Sequence, residues 1–300
     1  MRTRPALSVA FVAAATFALG ACSSASQEGG DGGSTGGGFD LASIVKNDEI
    51  AALVPDAIAA DGKLTVGSDL TYAPAEFVGT DGKTAVGFDI DIITAVAQLM
   101  GLEVDVQSSA FDAIIPSIGT RYEVGISSFT INADRLQTVN MVSYFDAGSL
   151  FAVAKGNPDG IDPQNLCGVT VGVQTGTVQQ EALEAAQAAC GDDTIDVLPF
   201  ESQADVTTNL VEGRVQVMYA DSPITAYAVE QAGGDIETLG EIHDSAPYGI
   251  VVAKDDTDLA EAVRAALQQL MDDGDLKAIA AVWGQADGVL STSEVNPSVG

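Results

Sequence analysis

Basic residues are scarce in this chain: 12 lysines and arginines stand against 43 aspartates and glutamates, giving a formal charge of −31 with a single histidine. So acidic a protein is repelled by nucleic acid and by anionic membrane surfaces, which excludes both as partners. No HExxH or P-loop pattern occurs, no nucleophile elbow stands between a strand and a helix pattern, and the acids do not alternate at EF-hand spacing. The sequence therefore offers no catalytic motif, no metal site and no cofactor site. The one histidine, His243, lies in the acidic stretch EIHDSAP and reads as a surface or hinge residue rather than a general base. Long apolar runs are missing too, and none reaches the ~20 residues of a membrane-spanning helix.

The first residues carry Arg2 and Arg4, then an apolar run from Ala6 to Gly20 and a small-residue site, the pattern of an export signal. The quartet Leu19-Gly20-Ala21-Cys22 resembles the bacterial lipoprotein signal. That resemblance implies a signal peptide over 1–21 and a lipid-modified Cys22 that anchors the chain on the outer face of the cytoplasmic membrane. Residues 22–38 are rich in Gly and Ser, a composition that cannot bury a core and serves as a tether. The chain has three cysteines. Lipidation of Cys22 leaves Cys167 and Cys190 as a pair outside the cell, with two buried free thiols as the alternative.

About 260 residues remain, more than one compact core usually holds, so two lobes are expected. Strand and helix patterns alternate: KLTVGS from Lys63, then Phe88–Met100 at helical spacing with Asp89 and Asp91 in its first turn, where acids suit the helix dipole. EVDVQ, FDAIIPSI and EVGIS continue the series as strand, helix and strand. After the loop cluster Lys155-Gly156-Asn157-Pro158 a second series begins. It runs through the strand GVTVGVQ, a helix over Thr177–Cys190, the strands TIDVLPF and VQVMYA, and a helix from Ser222. Such alternation predicts an α/β fold with a largely parallel sheet in each lobe. SLFAVAK and APYGIVVAK read as extended crossovers between lobes, and Leu259–Trp283 as a helical return to the first. Lobe 1 is expected over 39–152 plus 249–290, lobe 2 over 153–248, and a flexible tail over 291–300. The amphipathic stretch Phe39–Ala60 is expected to pack as helices on lobe 1.

Five segments in order, VGSDLTYAPAEFVGTDGKTAVGFDIDI, FDAIIPSI, SSFTINADR, VGVQTGTVQQ and MYADSPITAY, resemble the signature segments of the polar and basic amino-acid-binding proteins of bacterial ABC importers (family 3 extracellular solute-binding proteins). The resemblance spans about Lys63 to Trp283. It implies a periplasmic-binding-protein-like II fold, two lobes closing on a free L-amino acid, delivery to an ABC permease, a monomer and no enzymatic activity.

An amino acid brings a carboxylate and an ammonium out of water, so its receptor needs one cation and one anion converging on one point. Arg135 can hold a carboxylate with two parallel bonds, and the resemblance gives it that role; Ser128 and Thr130 add hydroxyls from the same lobe. The competing reading pairs Arg135 with the adjacent Asp134, although neighbours on a helix do not face each other. The Gly176-Thr177 turn opens a helix and aims free N–H groups forward, with Gln179 behind it; Thr177 also suits a plain N-cap. Val178 departs from the hydroxyl residue that close relatives often carry. Asp221 is placed for the ammonium, or else caps the helix that starts at Ser222-Pro223.

Asp69, Tyr72 and Phe111 match positions where an acid meets the distal group of the ligand and two rings flank its stem, which favours arginine, lysine, ornithine, histidine or glutamine. Gln174 stands close in the motif without a role that the sequence decides. An extracellular sensor and a dehydratase-like enzyme on the same fold are the rival readings. Peptide mapping with and without reductant should find residues 167 and 190 in one cross-linked pair. Replacing both cysteines with serine is expected to cost roughly 3 kcal/mol, read by urea unfolding.

Overall fold

The computed structural model describes residues 38–299; the signal, the Cys22 anchor and all but the last residue of the tether lie outside them. The chain enters through a 3-10 turn, Leu41–Ser43, and two short helices, α1 (Asp48–Ala51) and α2 (Asp56–Asp61). Ile50, Val54 and Ile58 bury their side chains there. The Asn47 N–H donates to the Leu99 carbonyl (2.9 Å) and its amide to Gln269 Oε1 (2.8 Å). The leading segment is thus helical, as its amphipathic pattern predicted, and is tied to Leu99 and Gln269.

The first half contains β1 (Lys63–Ser68), the small three-stranded sheet β2 (Thr71–Tyr72), β3 (Glu76–Val78) and β4 (Ala85–Val86), and then α3 (Phe88–Met100). β5 (Glu103–Ser108), α4 (Phe111–Ser117), β6 (Val124–Gly125) and α5 (Ala133–Thr138) follow. A long strand, β7 (Val139–Ala154), leads into the second half: β8 (Thr170–Gln174), α6 (Val178–Ala186), β9 (Asp196–Phe200), α7 (Gln203–Val211), β10 (Val217–Asp221) and α8 (Ser222–Gln231). A second long strand, β11 (Ile236–Ala253), returns to the first half, which α9 (Thr257–Asp272) and α10 (Asp275–Val282) complete.

The main sheet has eight strands in the order β5-β1-β6-β11-β7-β10-β8-β9. β5, β1 and β6 run parallel at one end, and β10, β8 and β9 run parallel at the other. Between them β7 and β11 pair antiparallel along most of their length. Their register slips between Leu239 and His243, between His243 and Ala246, and between Tyr248 and Gly249. Bulges bend and twist a ladder locally, so the two crossovers are weakened where they pass between the halves. Each half has its own apolar packing. Val66, Ile92, Val96, Val263 and Leu267 are fully buried in the first, and Val171, Val173, Val217 and Leu183 are buried in the second. Buried strands of a parallel sheet read as continuous apolar runs, which is why GVTVGVQ was legible. The sulfurs of Cys167 and Cys190, at the edge of the second half, lie 2.07 Å apart with Cα atoms at 5.3 Å.

One expectation changes. Residues 289–296, most of them read as flexible tail, form an extended strap on β7. Val289 bridges Phe145, Val295 bridges Val142, the Asn296 N–H donates to the Met141 carbonyl (2.8 Å), and Ser293 is buried. The acids opening α3 stand in its first turn as expected, and each has a further setting that the pattern did not indicate: Asp89 is fully buried, and Asp91 accepts from Trp283 Nε1 at 2.8 Å. Gly87 makes this entry to α3 feasible. Its φ is +133°, and a Cβ there would lie 2.1 Å from the Ala75 carbonyl oxygen. Gly87→Ala must both strain the backbone and push the two segments apart, and is expected to cost about 2 kcal/mol or more in urea unfolding.

Candidate functional site

Strand ends and helix starts from both halves meet beside the bulged crossovers. In the first half, Asn132 caps α5 by accepting from the Arg135 N–H (2.8 Å), which fixes where the Arg135 side chain leaves the helix. Its guanidinium turns inward. Nη1 donates to the Thr130 carbonyl (2.7 Å) and Nη2 crosses to the Gly176 carbonyl of the second half (3.1 Å). It lies over the rings of Phe111 and Phe129, 5.4 and 5.5 Å from their centroids, and those rings stack at 4.7 Å. Asp134 takes a bond from Gln137 instead, so the surface pairing of Arg135 with its neighbour does not form. Among the described residues no carboxylate makes an ion pair with Arg135. Burial pushes its pKa down, opposed by the charges of Glu181 and Asp221, but a guanidinium stays protonated in any case.

Asp221, in the second half, supplies the opposite charge. It ends β10, and although its backbone stands at the N-cap of α8, its carboxylate makes no capping bond. Oδ2 accepts from the Tyr72 hydroxyl across the cleft (2.8 Å), and Oδ1 accepts from Gln179 Nε2 (2.7 Å), which also donates to Ser149 Oγ (2.8 Å). The residue is only 5% exposed. Burial raises its pKa, while bonds from Tyr72 and Gln179 and the charge of Arg135 pull the other way; the nearby buried Tyr248 hydroxyl makes no hydrogen bond. Arg135 and Asp221 therefore feel each other's field without touching.

Thr177 acts as the N-cap of α6. Its hydroxyl accepts from the Gln180 N–H (3.3 Å) and donates to the Gln174 carbonyl (2.7 Å). Gly176 has φ +78°, and a Cβ there would meet Asp112 Cβ at 2.9 Å, so glycine permits this close approach between the halves. Beside the turn, a cavity of about 550 Å³ is lined in part by Thr130, Ser149, Val178 and Tyr219.

Asp69 follows β1 and marks another polar centre. Its Oδ1 accepts from the Thr71 N–H and hydroxyl (3.1 and 2.8 Å), and its Oδ2 from the Phe111 N–H (3.1 Å) and, across the cleft, Gln174 Nε2 (2.7 Å). Burial raises its pKa against these four bonds. Gln174 Oε1 and both side-chain polar atoms of Gln203 are buried without a partner, and the Gln203 N–H reaches the Thr71 hydroxyl (3.3 Å). Unpaired acceptors near a buried carboxylate suit a ligand group rich in N–H donors.

The structure thus brings Asp69, Tyr72, Phe111, Arg135, Thr177, Gln179 and Asp221 into one linked region. Ser128 lies behind it, with its N–H and hydroxyl both held by Asp89 (2.8 and 3.2 Å). Thr130 contributes its carbonyl to Arg135. Phe111 stacks on Phe129 and supports Arg135, while Tyr72 spends its hydroxyl on Asp221. Sequence reasoning missed Ser149, Gln203 and Tyr248. The first two are common polar residues with no local signature, and Tyr248 reads as one more apolar position in a crossover strand. His243 bonds the Tyr219 hydroxyl (3.0 Å) and stacks on that ring in the bulged part of β11.

Residues 64–286 match the profile of the bacterial extracellular solute-binding proteins, family 3. An arginine-binding protein, ArgT, of Corynebacterium glutamicum is 37% identical over 254 residues, 83% of each chain. Among solved structures, an ancestral arginine-binding protein bound to arginine superposes with a TM-score of 0.70 at 31% identity, over 74% of this chain and 98% of that one. An ancestral amino-acid-binding protein described as a precursor of cyclohexadienyl dehydratase superposes with a TM-score of 0.68 at 30% identity, over 77% and 99%.

The raised pKa of Asp221 fixes the sign of a test. Its ionised form costs folding energy, so Asp221→Asn is expected to raise the melting temperature of the ligand-free protein near neutral pH. That advantage should disappear below the ordinary carboxyl value of 3.8, where the wild-type group is protonated in both folded and unfolded chains. Thermal unfolding at the two pH values checks it. A purely structural Asp221 would give a loss at both.

Proposed function

The chain belongs to the bacterial extracellular solute-binding proteins, family 3, and on that premise we propose that it captures a basic L-amino acid, arginine first, and delivers it to an ABC permease. The observation that carries this reading is a buried guanidinium from one half and a buried carboxylate from the other, each bonded only to neutral groups. A zwitterion completes both: its carboxylate takes the unused donors of Arg135 and the N–H groups at the α6 turn, and its ammonium neutralises Asp221. Asp69, with the unpaired amide oxygens of Gln174 and Gln203, offers a guanidinium several acceptors at once. The names of the similar arginine-binding proteins support the same preference.

Residues 39–152 with 249–290 form the lobe that presents Arg135, and 153–248 the lobe that presents Asp221. Closure is read by the permease because a ligand touching both lobes stabilises the closed state selectively. The protein works as a lipid-anchored monomer held by Cys22, with Cys167 and Cys190 disulfide-bonded. It is not an enzyme: the two acids of the cleft are engaged in recognition, and the dehydratase precursor it resembles is itself named for amino-acid binding.

Thermal unfolding of residues 23–300 against the common amino acids tests the reading. Ligand at a hundred times its dissociation constant should add about 2.7 kcal/mol. Arginine should give the largest shift, Arg135→Ala should abolish the shift for every ligand, and Asp69→Asn should reorder arginine, lysine and glutamine. If no amino acid moves the transition, the amino-acid reading falls.

A further inference from the structure

Behind the clamp lie two carboxyls that it does not use. Glu76 on β3 and Asp89 in the first turn of α3 are both 0% exposed. The tight crossing at Gly87 brings them together, with the Asp89 N–H donating to the Ala75 carbonyl (2.9 Å) and the Phe88 N–H to that of Pro74 (3.1 Å). Glu76 Oε1 accepts from the Ser127 hydroxyl (2.6 Å). Asp89 Oδ2 accepts from the N–H and hydroxyl of Ser128, and Oδ1 from the Tyr144 hydroxyl (2.6 Å). Glu76 Oε2 is buried and receives no donor, and the equally buried Asp89 is the carboxyl whose charge weighs most on it. Ionised carboxylates are acceptors only, so two of them buried together, one with an oxygen that no donor reaches, are relieved when a proton sits on one of them.

No cation relieves the pair. None of the ion pairs among the described residues includes either acid. The titratable groups that face them are Asp69, Tyr72 and Tyr144, none of which can be positive. Burial, and then the charge of Asp89, lifts the pKa of Glu76 well above the usual carboxyl range.

Both acids grip the strand end that builds the ligand site. Ser127 donates to Glu76 and accepts from the Asp69 N–H (3.1 Å). Ser128, in the left-handed region at φ +49°, is held there by Asp89. The next two residues are Phe129, which stacks under Arg135, and Thr130, whose carbonyl receives its Nη1. We propose that Glu76 and Asp89 share one proton and act as positioning residues that set Asp69 and Arg135 together, so that ligand affinity depends on keeping that proton. This rests on the amino-acid reading of the site.

The sign follows from the raised value. The proton is kept through the range where ordinary carboxyls have ionised, and it leaves as pH rises through the folded-state pKa of the pair. Two full negative charges then face each other with no counter-ion, the carboxyls part, and Ser127 and Ser128 move with them. Glu76→Gln keeps a neutral donor at any pH and should uncouple the site from this loss.

The test compares residues 23–300 with and without Glu76→Gln in arginine titration calorimetry from about pH 6 to about pH 10. Affinities should agree within about threefold near neutral pH. Wild type should then fall at least about tenfold further than the variant as pH rises, since one extra proton on the binding-competent state shifts affinity by up to tenfold per pH unit. Deprotonation of the arginine α-ammonium affects both proteins equally and cancels in the ratio. Infrared difference spectra of the ligand-free wild type should also show a protonated carboxyl near neutral pH that Glu76→Gln lacks. Asp89→Asn, which neutralises the other member, replaces the first variant if that one does not fold. Parallel affinity profiles, or no protonated carboxyl, overturn the proposal. A protonated carboxyl together with no binding of any amino acid would instead overturn the functional reading and with it the claim about affinity, leaving the shared proton standing.

Discussion

A buried charge without a counter-ion is among the costliest things a fold can hold, and this one holds two of opposite sign on opposite sides of one cleft. Arg135 is kept by carbonyls and aromatic faces, Asp221 by a phenol and an amide. Letting them meet would satisfy both and leave nothing for a ligand to do. The architecture prevents it: Asn132 sets the exit of Arg135 from α5, the Phe111–Phe129 stack props its guanidinium, and Gln179 holds Asp221 against Ser149. The cost of keeping these charges apart is the energy that a zwitterion recovers when it enters.

The cross-cleft bonds fit the same logic. Tyr72 to Asp221, Gln174 to Asp69 and Arg135 to Gly176 all join one half to the other, and each uses a group that a ligand would also want. Closure and recognition therefore draw on one set of atoms. Hydrogen bonds to charged groups contribute about 1.5–3 kcal/mol each. These bonds hold the two halves against each other yet are replaceable by a better partner. The slipped register of β11 gives the two crossovers a place to bend without unpicking either core.

Much of this was legible in the chain. Apolar runs marked the parallel strands, spacing marked α3 and α9, and the amphipathic LASIV and IAALV predicted an N-terminal segment packed on the first lobe. The candidate site residues were picked out by their resemblance to the family's motifs, and their local chemistry is compatible with it: an arginine just inside a capped helix, a Gly-Thr turn between strand and helix, an aspartate closing an apolar strand. What stayed hidden depends on distant partners. Asp89 has the local signature of a dipole-facing acid, and only the packing of β3 and Tyr144 reveals a buried carboxyl. Likewise Gln203 and Ser149 become notable through neighbours far along the chain, and a Ser-rich tail gives no sign that β7 offers it an open edge.

Both described ends of the chain are fastened to the same half. The helices of residues 48–61 and the strap of residues 289–296 belong to the part that carries Arg135, whereas the part that carries Asp221 contains no terminus and is reached only through two strands. Mechanically, that makes one half the base and the other the arm. A load or a linkage applied at either described end acts first on the base and reaches the arm only through the two long strands. Dye placement follows the same division: one fluorophore on α7 and another on residues 48–61 or 289–296 report on the spacing of the two halves, whereas labels on those two end segments both report on one half.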